Sequence, residues 1–248
     1  MGRFEVSVGC EHKVQDIGSR QREIGRGSPQ ERSRTMSIHI KVKICGITNL
    51  EDARLAFELG ADMLGFNFYP KSPRYIQPEA AFDIINKLPT FIDSVGLFVN
   101  APLEEIKDIA ETGYLNWIQL HGDETPEFCD QVQFAAIRTI KAIRVRKKAD
   151  VQKAFAYRTD AILLDAFAPD RFGGSGNQFN WEWVDYLPMR IFLAGGITPD
   201  NVAEALSMGV YGIDICSGVE SSAGKKDPQK MKRLFEVIRY TTGLKAKV

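Results

Sequence analysis

The chain has no apolar run approaching the roughly 20 residues that a membrane-spanning helix needs, so no membrane partner is expected. It has no net charge either, since 32 Lys and Arg balance 32 Asp and Glu. That balance removes the electrostatic footprint of a nucleic-acid or anionic-surface binder, and no nucleic-acid partner is expected. The four cysteines, Cys10, Cys45, Cys129 and Cys216, are far apart and form no CxxC pair. A zinc site or thioredoxin-like motif is therefore disfavoured, and unpaired thiols fit a reduced, cytoplasmic setting. No GxGxxG turn follows the first apolar run, which weakens an open dinucleotide-binding sheet.

The N-terminal stretch lacks a core. Met1 to Thr35 is rich in Arg, Glu, Gly, Ser and Gln, and apolar residues are scarce after Val14. It has no apolar stretch like that of a secretory signal, and its acidic residues argue against a transit peptide. Residues 1–37 read as a disordered extension and 38–248 as the folded domain. Met36 stands just before the first apolar run, where an alternative start codon would remove the extension.

From Ile38 onward two textures alternate. Short apolar runs predict strands at Val42–Cys45, Met63–Phe68, Asp93–Val99, Trp117–His121, Ala136–Ala142, Ala161–Asp165, Ile191–Ala194 and Gly212–Ile215. Amphipathic stretches predict helices at Asn49–Leu59, Pro78–Leu88, Pro102–Thr112, Pro126–Gln131, Lys148–Tyr157, Trp181–Tyr186, Pro199–Ser207 and Asp227–Tyr240. Pro78, Pro102, Pro126 and Pro199 stand near first helical turns, where a missing N–H costs nothing. Gly60, Gly113 and Gly209 stand just past helix ends, where a left-handed residue is needed. Near-continuous apolar strands mean a parallel sheet covered on both faces. A strict eightfold β-α alternation closes naturally into a single (β/α)8 barrel, with an open doubly wound sheet as the alternative.

Barrel enzymes work at the carboxyl ends of their strands. Here those ends carry Cys45, the loop from Tyr69 to Tyr75 with Arg74, His121, Asp165, Gly195-Gly196, and Cys216-Ser217-Gly218. Glycine pairs after strands seven and eight are where barrels bind phosphate through backbone N–H groups, so Gly195, Gly196, Ser217 and Gly218 are the phosphate candidates. Asp165 ends a wholly apolar run and precedes a glycine-rich loop, Gly173-Gly174-Ser175-Gly176. Under a closing lid such a carboxyl can serve as a general acid; otherwise it is a helix cap or half of a buried ion pair. Cys45 ends the first strand before a helix start whose positive end would favour a thiolate base; the alternative is an inert core thiol. Arg74 suits a substrate carboxylate, or it is a solvated surface arginine. His121 either meets substrate or ties neighbouring strand ends together. Lys225-Lys226 reads as a solvated basic pair.

The ordered set Lys43–Thr48 (KICGIT), Gly65–Ile76 (GFNFYPKSPRYI), Gly96–Asn100 (GLFVN), Ile118–Gly122 (IQLHG), Leu163–Asp165 (LLD), Gly173–Gly176 (GGSG), Gly195–Ile197 (GGI) and Ser217–Asp227 (SGVESSAGKKD) resembles the phosphoribosylanthranilate isomerases of tryptophan biosynthesis. The resemblance covers about residues 39–243 and leaves the N-terminal extension unexplained. It implies a (β/α)8 TIM barrel of the ribulose-phosphate-binding type and an Amadori rearrangement needing no cofactor and no metal. The implied small-molecule substrate is N-(5-phosphoribosyl)anthranilate, and the product 1-(2-carboxyphenylamino)-1-deoxyribulose 5-phosphate. It implies Asp165 as general acid, Cys45 as general base, Arg74 on the anthranilate carboxylate, and a monomer or homodimer. A non-catalytic phosphoribosyl-ligand-binding barrel and a related aminoaldose isomerase are the alternatives. One departure stands out: the family usually has serine where this chain has Cys216. Strand eight neighbours strand one in a closed barrel, so Cys216 is expected near Cys45.

Overall fold

A computed structural model describes residues 40–134, 137–168, 172–174, 176, 178–184 and 187–243. The expected extension over 1–37, Met36 and Cys10 lie outside the described residues. Eight parallel strands close in chain order: β1 (Lys41–Cys45), β2 (Met63–Asn67), β3 (Asp93–Phe98), β4 (Trp117–Leu120), β5 (Arg138–Val145), β6 (Ala161–Ala166), β7 (Ile191–Leu193) and β8 (Gly212–Ile215). β1 pairs with β2 on one side and β8 on the other, which completes the barrel. The helices are α1 (Leu50–Leu59), α2 (Pro78–Ile85), α3 (Leu103–Glu111), α4 (Pro126–Gln131), α5 (Lys148–Val151), α6 (Val202–Ser207) and α7 (Pro228–Thr242). A small antiparallel pair, β9 (Glu220–Ser222) and β10 (Lys225–Lys226), stands between β8 and α7. Among the described residues no helix is long and apolar enough to cross a membrane.

The period-two alternation of a strand sorts side chains between two cores. Val42, Ile44, Leu64, Phe66, Ile118, Leu164 and Ile213 pack outward with helix residues such as Ala53, Ile106 and Leu234. Met63, Val95, Trp117, Leu163 and Phe192 fill the barrel interior, a packed plug rather than a pore. Gly212 on β8 makes room for that plug, since a methyl group there would overlap the Phe192 ring. The expected caps are present. Asn49 Oδ1 accepts from Asp52 N at 2.9 Å at the start of α1, Asp227 caps α7, and Gly60 ends α1 at φ +113°.

Four expectations need correction. β5 runs to Val145, beyond the expected end at Ala142, and its expected first residue, Ala136, lies outside the described residues. Arg144 disguised the added residues and pairs with Asp123, while Lys141, already inside the expected strand, is buried against Glu124 at 2.6 Å. The stretch Lys148–Tyr157 is a four-residue α5 followed by a 3-10 segment, Gln152–Ala156. The stretch beginning at Trp181 is a 3-10 turn, Trp181–Val184, and the expected end at Tyr186 lies outside the described residues. α6 starts at Val202 rather than Pro199, because Asn201 Oδ1 accepts from Thr198 N at 2.8 Å and holds the intervening residues in a turn.

Phe192 is fully buried and meets Tyr211 edge-on at 5.4 Å. Phe192→Ala is expected to destabilise the barrel by about 3–5 kcal/mol. The measurement is urea unfolding, with a lower midpoint at an unchanged denaturant slope.

Candidate active site

All eight residues put forward from the sequence, Cys45, Arg74, His121, Asp165, Gly195, Gly196, Ser217 and Gly218, line one cleft of about 580 Å³. The strand ends do the gathering. Inward positions of β1 and β6 carry Cys45 and Asp165, and the residue after β4 is His121.

β1 and β8 bring two cross-strand pairs together. Lys43 is the register partner of Asp214, and the next inward positions are Cys45 and Cys216. Lys43 Nζ donates to Asp214 Oδ1 at 2.9 Å, with the lysine side chain wholly buried. One layer above, Cys216 packs on the small cluster of Cys45, Leu97 and Val99, alongside Tyr69 and Phe172. Gly65 on β2 leaves space for the thiol; a methyl group there would come 2.8 Å from Cys45 Sγ.

This setting favours a thiolate at Cys45. Its pKa is held well below the usual thiol value, first by the hydrogen bond from Cys216 and then, against the cost of burial, by the charges of Lys43 and Lys226. These two lysines are cationic help not expected from sequence, where the α1 terminus was the source named. Cys216, the donor, is pushed well above the usual value by that same hydrogen bond and by burial. Burial opposes the charge on Lys43, but Asp214 and Cys45 outweigh it and its pKa rises. Burial lifts the Asp214 carboxyl to about 7 despite Lys43 beside it.

Asp165 has different company. His121 Nε2 lies 3.2 Å from Asp165 Oδ2, and Gln119 Nε2 lies 2.8 Å from His121 Nδ1. With the amide donating to Nδ1, the Nε2–H tautomer would donate to Oδ2; Gln119 Oε1 is then buried with no partner among the described residues. Oδ1 is left facing Gly195, where a methyl group would come within 3.0 Å. The loop Phe172-Gly173-Gly174 lies over this pair; a methyl group on Gly173 would be 3.2 Å from His121 Cε1 and 3.3 Å from Asp165 Oδ2. Gly173 and Gly174 both have positive φ, +76° and +62°. Ser175 lies outside the described residues.

Arg74 is no solvated arginine. It is 8% exposed, and its Nε and Nη2 grip Glu220 at 2.9 and 2.7 Å. Among the described residues Nη1 has no hydrogen-bond partner, and it lies beside Gly174 at the cleft. Glu220 also accepts from Lys226 Nζ at 2.9 Å, and Lys226 Nζ donates to the Cys45 carbonyl at 2.6 Å. The expected solvated pair is therefore half wrong. Lys225 is exposed and pairs with Glu51, but Lys226 is 1% exposed and braces the end of β1. Burial works against the charge on Glu220, yet Arg74 and Lys226 hold its carboxyl below the usual value.

On the far side, Gly195 and Gly196 turn at φ +83° and +67°, and Asn201 Nδ2 holds the Gly196 carbonyl at 2.9 Å. Ser217–Val219 form a 3-10 turn, and any side chain at Gly218 would collide with the Ile197 carbonyl. Two backbone turns thus pack together with no side chain between them, as an oxyanion cradle requires.

Lys43, Asp214, Gln119, Glu220 and Lys226 were given no role in the site from sequence, although Asp214 stands near the carboxyl end of the expected eighth strand and Lys226 was read as solvated. Period two was the available signal for the first three, since each precedes a named site residue by two positions on its strand. Nothing local marks Glu220 or Lys226.

Residues 42–237 match the profile of the family described as N-(5'-phosphoribosyl)anthranilate (PRA) isomerase. A Pelobacter propionicus protein named N-(5'-phosphoribosyl)anthranilate isomerase is 48% identical over 205 residues, 82% of this chain and 97% of its own. The crystal structure of phosphoribosyl anthranilate isomerase from Thermus thermophilus superposes with a TM-score of 0.75 at 40% identity, over 81% of this chain and 99% of that one. A phosphoribosyl anthranilate isomerase in complex with reduced 1-(o-carboxyphenylamino)-1-deoxyribulose 5-phosphate gives a TM-score of 0.72 at 41% identity, over 83% and 100% of the two chains.

Lys43→Met removes a cation that favours the Cys45 thiolate, so the Cys45 pKa must rise. The pH midpoint for alkylation of Cys45 by iodoacetamide is expected to move up by roughly one unit or more, the effect of one opposite charge close by. Peptide mapping isolates Cys45, and an unmoved midpoint refutes the role given to Lys43.

Proposed function

Since the chain belongs to the N-(5'-phosphoribosyl)anthranilate isomerase family, we propose that its cleft performs the Amadori rearrangement with Asp165 as acid and Cys45 as base. The protein is an isomerase of tryptophan biosynthesis. What carries the assignment of roles is the placement in one cleft of a thiol favoured as thiolate and a carboxyl with one oxygen pinned.

The substrate carries a phosphate, a ribose ring and an anthranilate carboxylate, and the cleft offers a partner for each. The turns at Gly195-Gly196 and Ser217-Gly218 take the phosphate with backbone N–H groups. Arg74, held rigid by Glu220, presents Nη1 to the carboxylate. Tyr69, Phe172, Leu97 and Val99 around Cys45 give the anthranilate ring an apolar wall.

In the first step Asp165 gives its proton to the furanose ring oxygen. The C1–O bond breaks as the anilino nitrogen lone pair forms the C1=N bond of a protonated Schiff base. His121 acts as a positioning residue: its N–H occupies Oδ2, so the acidic proton resides on Oδ1. In the second step the Cys45 thiolate removes the C2 proton, and the C2–H electrons form C1=C2 and neutralise the nitrogen. The resulting enolamine tautomerises to the ketone. Each proton transfer falls to a group placed for it, since the thiolate sits among cations and Asp165 meets the His121 ring with no lysine or arginine paired with it among the described residues.

Consumption of freshly prepared phosphoribosylanthranilate, followed by fluorescence, tests the assignment. Asp165→Asn and Cys45→Ser are each expected to lose about 10²–10⁴-fold in kcat, the range of a missing acid or base. Both should still bind reduced 1-(o-carboxyphenylamino)-1-deoxyribulose 5-phosphate. His121→Asn is expected to lower kcat more than it raises KM. Wild type that binds the analogue without consuming substrate would make the protein a binding barrel, and near-normal turnover in both catalytic variants would overturn the roles.

A further inference from the structure

Two thiols stand side by side at the mouth of the barrel, and the isomerase chemistry uses only one of them. Their contact follows from strand register. Ile44 pairs with Ile215 across the β1–β8 seam, so the residues that follow, Cys45 and Cys216, are the next neighbours. Adjacent strands lie about 4.8 Å apart, inside the Cα separation of roughly 4.4–6.8 Å that a disulfide bridges. Both sulfurs belong to one packed cluster, both residues line the cleft, and neither is in a disulfide. Cys129 is set apart, fully buried in the outer core, with burial lifting its pKa to about 11.

We propose that Cys45 and Cys216 form a reversible peroxide-oxidation site, with Cys45 as the attacked thiol and Cys216 as the resolving one. The co-reactant is a hydroperoxide small enough to enter the cleft. The Cys45 thiolate attacks one peroxide oxygen: an S–O bond forms, the O–O bond breaks, and the remaining oxygen leaves as water or alcohol after protonation. Sulfur has then lost two electrons and is a sulfenic acid. Cys216 sulfur next attacks Cys45 sulfur. The S–S bond forms, the S–O bond breaks, and hydroxide leaves as water with the Cys216 proton.

The surroundings suit both steps. A thiolate is the reactive form, and Cys45 is favoured as one. Cys216 is held protonated mainly by its hydrogen bond to that thiolate. Once Cys45 is sulfenic the thiolate is gone, while the charges of Lys226 and Arg74, which favour ionisation of Cys216, remain. Glu220 also lies within reach of the Cys216 thiol, 3.9 Å from its sulfur. Rapid resolution matters, because a lone sulfenic acid continues to the irreversible sulfinic acid. The closed state would be inactive, with its base consumed; this consequence rests on the role given to Cys45 above.

The test treats the full chain with dilute hydrogen peroxide and follows thiol titration after denaturation, peptide mass mapping and isomerase activity together. Wild type is expected to fall from four titratable thiols to two. A Cys45–Cys216 cross-linked peptide should appear with the mass loss of two hydrogens, and dithiothreitol should restore thiols and activity in parallel. Cys216→Ser is expected instead to gain two oxygens at Cys45, with no recovery under dithiothreitol. The proposal fails if wild type accumulates sulfinic Cys45, if Cys45 links to Cys10 or Cys129, or if both thiols survive a dose that oxidises Cys216→Ser. The mass readouts do not depend on turnover. A cross-link in a protein that never consumes phosphoribosylanthranilate would sink the proposed function and leave the oxidation site standing. Full turnover with persistent thiols would do the reverse.

Discussion

Lys43 and Asp214 meet across the seam where β8 closes onto β1, and much of the site is anchored to that ion pair. Burying two charges is expensive unless each finds a partner at good geometry. Here the partners come from opposite ends of the chain, so the pair is satisfied only when the barrel is closed in register. A one-residue slip of β8 would turn Asp214 outward and leave Lys43 buried alone, while turning Cys216 away from Cys45. Replacing such pairs with apolar residues is often neutral for stability. The value of this one lies in specifying register, and in leaving a cation two positions below the Cys45 thiol.

Much of this was legible in the sequence, and the missing parts share a cause. Near-continuous apolar runs and glycines at helix ends announced the strand order, the closure and most element positions, because burial on both faces writes itself into local composition. Cys45 and Asp165 were visible because each ends such a run. What escaped notice was charge inside the fold. Arg144 hid the last residues of β5, since a charged residue in a strand normally signals an exposed edge. Lys226 was read as solvated for the same reason, although it is wholly enclosed by Cys45, Cys216 and Glu220. A buried charge is licensed by a partner far away in sequence, and nothing local reports the partner. The short helices failed differently: Asn201 and the 3-10 segments show turn hydrogen bonds prevailing over helical patterning where few residues are available.

Glu220 joins parts of the cleft that no single loop could hold. Through Arg74 it fixes the β2 loop, through Lys226 it reaches the carbonyl of Cys45, and its backbone carbonyl accepts from Lys230 on α7. The β9–β10 pair carrying it is itself tied to α1, where Asp52 Oδ2 accepts from Lys226 N at 2.8 Å. The small hairpin after β8 is thus a clamp binding the first and last βα units, and it orients the Arg74 guanidinium at the cleft. Because Glu220 is spent on Arg74 and Lys226, it adds little negative potential at the thiol.

The two sides of the cleft differ in where the cations are. Lys43 and Lys226 act on Cys45 from the β1–β8 side, and Arg74 lines the cleft nearby. Across the mouth, Asp165 is hydrogen-bonded to the His121 ring and packed against glycine backbone; among the described residues no lysine or arginine pairs with it. A thiol held among cations gives up its proton more readily than one in apolar surroundings. The cleft is therefore asymmetric, with buried cations gathered on the β1–β8 side and none paired with Asp165 among the described residues, and the proposed division between acid and base rests on that asymmetry.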